Sequence, residues 1–399
     1  MEFEYYFDPV KAGLRKTYQR KGEEGRLGDH VVFYKKGDKF TTEGLDIAII
    51  GVGDCVNSPG NNGCAKAPDA IRGKLYELRA FDRNIRIADM GNIRGKATKD
   101  KLIALTDACS LLMENSVIPL VLGGSQDFSI ALANALSKNE SSWNLSLIDS
   151  SVDHVKDADE LTSETYLTRL FSENKDSIDN ITLIAAQKYL YTFEQEKFFT
   201  DNYFNILRLG EIKGDDLKKA EPLLRDTDIL SIDISAVKKA DMPAQSGAMP
   251  NGLFSHEICQ LAWYAGISDR LKGVGVFETD TDKDDNCGSG VSLVAQTIWY
   301  FMEGSSMRFR DYPLREIETY SIYIVHLEDF DLDIRFFNNP QNDRWWVEVP
   351  GKENSIIVSC SKEDYDNAMK NEMPEKWIFF TKKSGSKSGN KNDSLSDIG

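Results

Sequence analysis

The chain has 399 residues, of which 41% are hydrophobic, so it can bury a large core in one main domain with extensions. Its formal net charge of -16 at pH 7 argues against nucleic acid or an anionic membrane as the main partner, because phosphate groups are bound by cationic surfaces. The first residues lack the apolar core of a secretory signal, and no apolar run approaches the roughly 20 residues that span a bilayer. These features predict a protein of the cytoplasm.

The residues before the first apolar run, 1–44, carry mixed charge and no clear periodicity, so we interpret them as an N-terminal extension wrapped on the core. Eight apolar runs follow, at 46–53, 85–91, 117–124, 144–150, 180–186, 203–210, 228–235 and 272–279. They are unbroken rather than alternating, as expected for strands buried on both faces of a parallel sheet. Between them, residues 99–115 and 252–266 repeat apolar side chains at helical spacing. This alternation predicts an α/β fold over 45–307, either a barrel or an open sheet, with ligands bound beyond the carboxyl ends of the strands.

The pattern changes after about residue 308, and the region 308–381 is predicted to be a strand-rich C-terminal appendage. Its apolar runs lie at 318–327, 332–337, 344–350 and 355–361, followed by a short helix at 362–371. We interpret Trp345, Trp346 and Trp377 as packing anchors of this appendage rather than as a ligand cage. The segment 382–399 is rich in Ser, Gly, Lys and Asn, which predicts a disordered tail.

The cysteines are scattered without a Cys-x-x-Cys pair, at Cys55, Cys64, Cys109, Cys259, Cys287 and Cys360. In a chain of this size, such spacing predicts free thiols in a reducing compartment. Cys55 and Cys64 are near enough in sequence to pair or to hold a metal, but the lack of a nearby histidine argues against a metal there.

Three of the apolar runs end in polar residues. One ends in two glycines followed by Gln126, the next leads into Asp149 and Asp153, and the third contains Asp233. Paired glycines let the backbone turn sharply and approach a ligand. An aspartate in a buried run is costly unless it is paired, hydrogen-bonded or metal-bound. One such aspartate alone would be read as a cap or a loop anchor, but three at the strand ends of one sheet predict a converging site.

The order and spacing of these segments resemble the ureohydrolase superfamily of arginase, agmatinase and formimidoylglutamase. The family motifs are Gly-Gly-Asp-His-Ser, Asp-Ala-His-x-Asp and Ser-x-Asp-x-Asp; the counterparts here are Gly-Gly-Ser-Gln-Asp at 123–127, Asp-Ser-Ser-Val-Asp at 149–153 and Ser-Ile-Asp-Ile-Ser at 231–235. Residues 51–72 and 243–257 also resemble family loops, and the resemblance covers roughly 45–305. It implies a three-layer α-β-α fold around a mainly parallel eight-stranded sheet, and a homo-oligomer.

In the family, these motifs hold two manganese ions that share a hydroxide, and this hydroxide attacks the central carbon of a guanidinium or formimidoyl group. By position, Asp149 and Asp233 match the carboxylates that bridge the two metals, and Asp153 matches a ligand of the first metal. Gln126 stands where the histidine of that metal is expected. Glu278, in the segment 273–279, matches the glutamate on the substrate side.

The second metal of the family has two ligands of its own, a histidine and an aspartate, and Ser151 and Ser235 stand in their places. Neutral hydroxyl oxygens bind divalent transition metals poorly. The resemblance therefore implies that a dimanganese centre is absent. It leaves either no metal or one divalent cation (Mn, Mg or Ca) held by Asp149, Asp153, Asp233 and Gln126.

The chain has four histidines, at His30, His154, His256 and His326. His154 follows Asp153 directly, but neighbouring side chains on an extended segment diverge, so we interpret it as a partly exposed residue and not as a replacement ligand. The family's proton-shuttling histidine has no counterpart in 155–172. The acidic run 280–285 lacks the glycine and glutamate of a calcium-binding loop, and Cys64 has no identifiable base.

Three functional hypotheses follow from these residues. The leading hypothesis is a ureohydrolase-family pseudoenzyme that acts in binding or scaffolding. The second is an active metal-dependent hydrolase of a guanidino or formimidoyl C–N bond, formimidoylglutamase-like, that uses a single or rearranged metal site. The third makes the C-terminal region the functional surface, through which the chain contacts a protein partner.

Overall fold

The computed structural model describes residues 5–18, 25–37, 40–247, 250–312, 319–351 and 354–387, with the side chains described up to residue 383. The chain divides into two compact units, Met1–Arg308 and Phe309–Gly399. None of the described helices is long and apolar enough to cross a membrane. All six cysteines are free.

Within the described residues, the first unit is built on one ten-stranded sheet. Its strands are β1 (Phe7–Asp8), β2 (Val32–Phe33), β3 (Ile47–Gly51), β4 (Ile87–Ile93), β5 (Ile118–Leu122), β6 (Trp143–Ile148), β7 (Ile178–Ala186), β8 (Asn205–Arg208), β9 (Ile229–Asp233) and β10 (Gly273–Phe277). Their spatial order is β1-β4-β3-β5-β10-β9-β6-β7-β8, with β2 also beside β4. Only β1 runs antiparallel to its neighbour. Each of the eight predicted strands is therefore present, and the two short strands come from the predicted N-terminal extension.

The helices of this unit are α1 (Ala12–Tyr18), α2 (Leu27–His30), α3 (Ala67–Leu75), α4 (Thr98–Glu114), α5 (Ser129–Ser137), α6 (Tyr166–Asn174), α7 (Phe193–Asp201), α8 (Glu221–Arg225), α9 (Ser255–Gly266) and α10 (Ser289–Ser306). They cover both faces of the sheet, because the buried apolar side chains form two separate clusters. Ile47 and Ile49 of β3 belong to the cluster that contains residues of α3, α9 and α10. Ala48 and Ile50 belong to the cluster that contains residues of α4, α5 and α6. The fold is the predicted three-layer α-β-α architecture, and the sheet is open rather than a barrel.

A buried ion pair fastens α3 to β4. The Arg72 and Asp89 side chains are both fully buried, with Arg72 Nε 2.8 Å from Asp89 Oδ2 and Arg72 Nη2 3.0 Å from Asp89 Oδ1. The Tyr76 hydroxyl also donates to Asp89, at 2.5 Å, and Arg72 Nη1 donates to Asn92 at 2.7 Å. Every charge in this network therefore has a partner of opposite sign.

The second unit is a four-stranded antiparallel sheet with two helices. Its elements are β11 (Ser321–Leu327), β12 (Leu332–Asn339), β13 (Arg344–Val349), β14 (Ile356–Cys360), α11 (Lys362–Ala368) and α12 (Glu375–Lys387). The strands are ordered β11-β12-β13-β14. One face of the sheet packs against Tyr365, Ala368 and Trp377 of the helices. Trp345 and Trp346 are buried, which confirms their interpretation as packing anchors.

The segment that was predicted to be a disordered tail is helical in its first part. Helix α12 continues to Lys387, so residues 382–387 are helical, while 388–399 lie outside the described residues. The prediction relied on composition alone and missed a local contact: Lys383 Nζ lies 5.6 Å from the ring centre of Phe379 and 5.9 Å from that of Phe380. Such cation–aromatic contacts stabilise the last turns of the helix.

Candidate functional site

The predicted site residues come from four strands that lie side by side, because β5, β10, β9 and β6 are consecutive in the sheet. Gln126 follows β5, Glu278 follows β10, Asp233 ends β9, and Asp149 and Asp153 follow β6. Parallel strands present their carboxyl ends at one edge of a sheet, so residues more than a hundred positions apart in sequence meet there.

The glycine pair after β5 shapes the backbone at this edge. Gly123 and Gly124 have φ values of 73° and 78°, in the left-handed region that favours glycine. A Cβ on Gly123 would lie 2.7 Å from Pro68 Cδ, and one on Gly124 would lie 2.9 Å from Val52 Cγ1. Both glycines are therefore needed for the turn that leads the chain to Gln126.

Asp149, Asp153 and Asp233 form what we call the acidic cluster. Each offers a carboxylate oxygen, and the three oxygens lie within 4.8 Å of one another. All three residues are buried. Burial, together with the neighbouring carboxylates, raises the pKa of Asp149 and of Asp233 well above its ordinary value and that of Asp153 to about 7. A cluster of buried carboxyl groups like this one retains protons or binds a cation, because adjacent buried negative charges repel each other.

The acidic cluster has no basic partner among the described residues, where no ion pair involves Asp149, Asp153 or Asp233. Its hydrogen bonds come from neutral groups. The Ser151 amide donates to Asp149 Oδ1 at 3.1 Å, and the Ser151 hydroxyl donates to Asp153 Oδ1 at 2.9 Å. The Ser235 amide donates to Asp233 Oδ1 at 2.6 Å. The two serines therefore direct donors at the carboxylates and add no negative charge.

The Gln126 side chain adds a hydrogen-bond acceptor without a partner beside the acidic cluster. Its side chain is fully buried, and its Nε2 donates to Ser231 Oγ at 3.4 Å. A hydrogen bond from the Gln126 side chain also lowers the pKa of Asp149, against the larger effect of burial. Gln126 Oε1 has no hydrogen-bond partner among the described residues. A buried amide oxygen without a partner is costly, and it is an oxygen ligand that a hard cation accepts.

Glu278 is held by neutral donors from two other loops. Its φ of 63° lies in the left-handed region. The Ser58 hydroxyl donates to Glu278 Oε2 at 2.5 Å, Asn61 Nδ2 donates to the same oxygen at 3.0 Å, and the Gln126 amide donates to Oε1 at 2.9 Å. Burial raises the pKa of Glu278, and these hydrogen bonds act in the opposite direction. Both carboxylate oxygens are therefore already engaged by the protein.

Ser58 and Asn61 had no predicted role, and Asp127 was noted only as the last residue of the 123–127 motif. Asp127 is fully buried, and burial raises its pKa to about 6. It accepts hydrogen bonds from the Ser125 hydroxyl and from Asn57 Nδ2, the latter at 2.6 Å. Asp127 thereby joins the loop after β3 to the loop after β5. The loop after β3 is rich in Asn, Ser, Pro and Gly. This composition was the only sequence feature that indicated hydrogen-bond donors in that loop.

His154 does not join the acidic cluster. Its ring stacks on the Phe198 ring with the two centres 3.7 Å apart, and its backbone oxygen accepts from Gln195 Nε2. Burial lowers the pKa of His154, which favours the neutral form of the ring. The interpretation of His154 as a partly exposed residue agrees with this position. It lines a surface cavity of about 410 Å³ together with Lys156, Thr192 and Glu194.

The two weaker sequence candidates have structural roles. In the acidic run, Asp284 accepts from the amides of Gly290 and Val291 at the start of α10, at 2.9 and 3.0 Å. These contacts are those of a helix cap, not of a calcium loop. Cys64 is buried, and burial raises the pKa of its thiol, which disfavours the nucleophilic thiolate.

Comparison with known proteins points to one family. The model of the arginase family matches residues 45–303. The formimidoylglutamases of Staphylococcus haemolyticus and Bacillus subtilis are each 22% identical to the chain; the first match covers 62% of this chain and 81% of the relative, and the second covers 61% and 83%.

Solved structures share the fold. The crystal structure of Trypanosoma cruzi formiminoglutamase with Mn²⁺₂ superposes with a TM-score of 0.60 at 22% identity, over 67% of this chain and 96% of that chain. The formimidoylglutamase structure from Bacillus subtilis has a TM-score of 0.65 at 18% identity, over 73% and 95%. Arginase from Medicago truncatula has a TM-score of 0.55 at 16% identity, over 66% and 88%.

Proposed function

The chain belongs to the arginase family, and we propose that it is a binding protein of that family whose acidic site takes at most one divalent cation and does not carry out two-metal hydrolysis. The observation that carries this proposal is the presence of Ser151 and Ser235 where the family has the two ligands specific to the second metal. The backbone amides of Ser151 and Ser235 donate hydrogen bonds to Asp149 and Asp233, the two carboxylates that a second metal would share.

The donor set fits one cation. Asp149, Asp153 and Asp233 supply three carboxylates within 4.8 Å of one another, and Gln126 Oε1 supplies a buried oxygen without a hydrogen-bond partner. A divalent cation there would neutralise the uncompensated charge of the acidic cluster, and it would supply Lewis acidity when bound. Four oxygen donors favour Mg²⁺, Ca²⁺ or Mn²⁺ over metals that prefer nitrogen or sulfur ligands.

The same residues offer little to a second cation. It would have only the two shared carboxylates, Asp149 and Asp233, and neutral serine oxygens. A two-metal centre lowers the pKa of the bridging water through both positive charges, so the loss of one metal removes the basis of that nucleophile. No histidine in 155–172 replaces the family's proton shuttle.

The surroundings of Glu278 give a second argument for the same proposal. Glu278 already accepts hydrogen bonds from Ser58, Asn61 and the Gln126 amide. A cationic guanidino or formimidoyl group would have to displace these donors and leave them unpaired, which costs binding free energy. This supports binding of a different ligand, or of none, at the position that meets the substrate in the family.

A second candidate function is a hydrolase of a formimidoyl or guanidino C–N bond that works with one metal. It is favoured by the retained Asp149, Asp153, Asp233 and Glu278, and by the names of the two curated relatives. The two candidates differ in one measurable property: only the hydrolase releases formamide, urea or ammonia from such substrates when a metal is added.

The first experiment counts the cations. Isothermal titration with Mn²⁺ and elemental analysis should give at most one ion per chain for the natural protein, and none for Asp233→Asn. Asp127→Asn removes another buried carboxylate outside the acidic cluster and is the matched control, for which the count should not change. Two tightly bound ions in the natural protein would overturn the proposal.

The second experiment restores the family ligands. The triple variant Gln126→His/Ser151→His/Ser235→Asp should bind two ions per chain, because each replaced position then carries a strong metal ligand. Both proteins are then assayed with guanidino and formimidoyl substrates in the presence of Mn²⁺. Metal-dependent turnover by the natural protein would establish the hydrolase and eliminate the binding-protein proposal.

A further inference from the structure

The strand β11 forms one edge of the sheet in the second unit, and it exposes apolar side chains. Ile322 is 48% exposed and Ile324 is 64% exposed, both on the face opposite the helices. Tyr323, on the other face, stacks against Trp345 with ring centres 5.4 Å apart. One face of β11 is therefore packed within the second unit, and the opposite face is exposed.

The two edges of this sheet differ. At β14, the opposite edge, the carbonyl oxygen of Ile357 accepts from the Tyr312 hydroxyl at 3.2 Å, and that of Ser359 accepts from Lys376 Nζ. Side chains therefore occupy hydrogen-bonding groups along β14. Along β11, no described side chain donates to the backbone of 321–327. An edge with free backbone groups can pair with another strand.

On the exposed face of this sheet, the Asp, Glu and Arg side chains lie on β12 and β13, and β11 has none. On β12, Arg335 Nη1 lies 3.1 Å from Glu348 Oε2, and Asp333 Oδ1 lies 2.9 Å from His326 Nδ1. The segment from Ser321 to Leu327 has no Lys, Arg, Asp, Glu or Pro, the residues that usually protect an edge strand from pairing.

We propose that β11 pairs in antiparallel orientation with β11 of a second copy of this chain, centred on Tyr323. In that register Tyr323 lies opposite the same residue of the second copy, Ile322 opposite Ile324, and Ser321 opposite Val325. The segment is self-complementary: each β-branched isoleucine meets another, and no two like charges face each other. The two four-stranded sheets become one continuous sheet, and this contact lies outside the part of the chain that matches the arginase family.

The proposal is tested on the full-length chain by sedimentation over a dilution series, with Ile324→Lys as the disrupting variant. Ile356→Lys, which places the same charge on the opposite edge at a residue that is 40% exposed, is the matched control. We expect the mass of the natural protein to double with concentration. The dimer should weaken by roughly tenfold or more in Ile324→Lys and stay unchanged in Ile356→Lys. The two residues are exposed, and circular dichroism should show that both variants remain folded.

The register is tested by cross-linking. In a Cys287→Ser background, which removes the exposed native thiol, Ile322→Cys/Ile324→Cys should form dimers with a short bis-maleimide. Ile356→Cys in the same background should not. A natural protein whose mass does not change with concentration, or whose association persists unchanged in Ile324→Lys, overturns the proposal, as does equal disruption by the two lysine variants.

Discussion

Asp89 and the acidic cluster are both buried carboxylate sites of the first unit, but only Asp89 has a cation beside it. Arg72 pairs with Asp89 through two hydrogen bonds, whereas Asp149, Asp153 and Asp233 have only neutral donors among the described residues. The Arg72–Asp89 pair is balanced in charge within the folded chain and holds α3 against β4. The acidic cluster has an excess of negative charge that protons or a cation must balance. We therefore expect several clustered buried carboxylates without a cation to form a binding site, while a balanced pair has a structural role.

The largest expected effect concerns the balanced pair. Asp89→Ala leaves the fully buried Arg72 guanidinium with only the half-exposed Asp69 as an ionic partner, and should lower the free energy of unfolding by about 3–5 kcal/mol. Urea unfolding of the metal-free protein measures this change. Asp282→Ala removes the exposed pair with Lys66 and should cost less than about 1 kcal/mol. Equal effects of the two substitutions would contradict the distinction drawn between buried and exposed pairs.

Addition of a divalent cation should stabilise the natural protein, because the cation binds the folded chain and not the unfolded one. At a free concentration about 100 times Kd, the expected gain is about 2.7 kcal/mol. Thermal unfolding with and without Mg²⁺ or Mn²⁺ measures it. Asp233→Asn should abolish the gain, and Asp127→Asn should retain it. A gain of the same size in Asp233→Asn would place the cation elsewhere.

The metal-free protein should lose stability as the pH rises. The pKa of Asp153 is raised from 3.8 to about 7 in the folded chain, so between these values the unfolded chain loses a proton that the folded chain keeps. The stabilising protonation is complete below the unfolded pKa and is lost as the pH approaches the folded pKa. Asp233→Asn should flatten this dependence and add roughly 1–3 kcal/mol at neutral pH, since each pKa unit corresponds to about 1.4 kcal/mol. An identical pH profile for the variant would show that the cluster is already balanced.

The smallest expected effect is that of Asp127→Asn. The replacement removes a charge that burial disfavours, but it also weakens the hydrogen bonds from Ser125 and Asn57, so the two effects oppose each other and the net change should stay within about 1 kcal/mol. Urea unfolding measures the net change. A loss as large as that of Asp89→Ala would mean that Asp127 is also part of a balanced network.

Much of the fold and of the acidic cluster could be predicted from the sequence. The eight strands could be predicted because each is an unbroken apolar run. Asp149, Asp153 and Asp233 could be predicted as site residues because three aspartates occur at the ends of such runs. Ser58 and Asn61 were not predicted as partners of Glu278, since their loop is more than two hundred positions away from it and has no periodic pattern. The extent of α12 was also missed, because composition does not report the contacts of Lys383 with Phe379 and Phe380.

The sequence by itself determined an α/β fold with a mainly parallel sheet, because apolar periodicity is a local property, and the family resemblance implied its three-layer form. The sequence also determined which residue types stand at each strand end, including the serines at 151 and 235. The tertiary structure decided which of these residues meet and whether their charges are balanced. Sheet order brings β5, β10, β9 and β6 together although they are distant in sequence, and burial then raises the pKa of carboxylates that would be ordinary in water. Both effects depend on contacts between distant segments, and no local pattern encodes them.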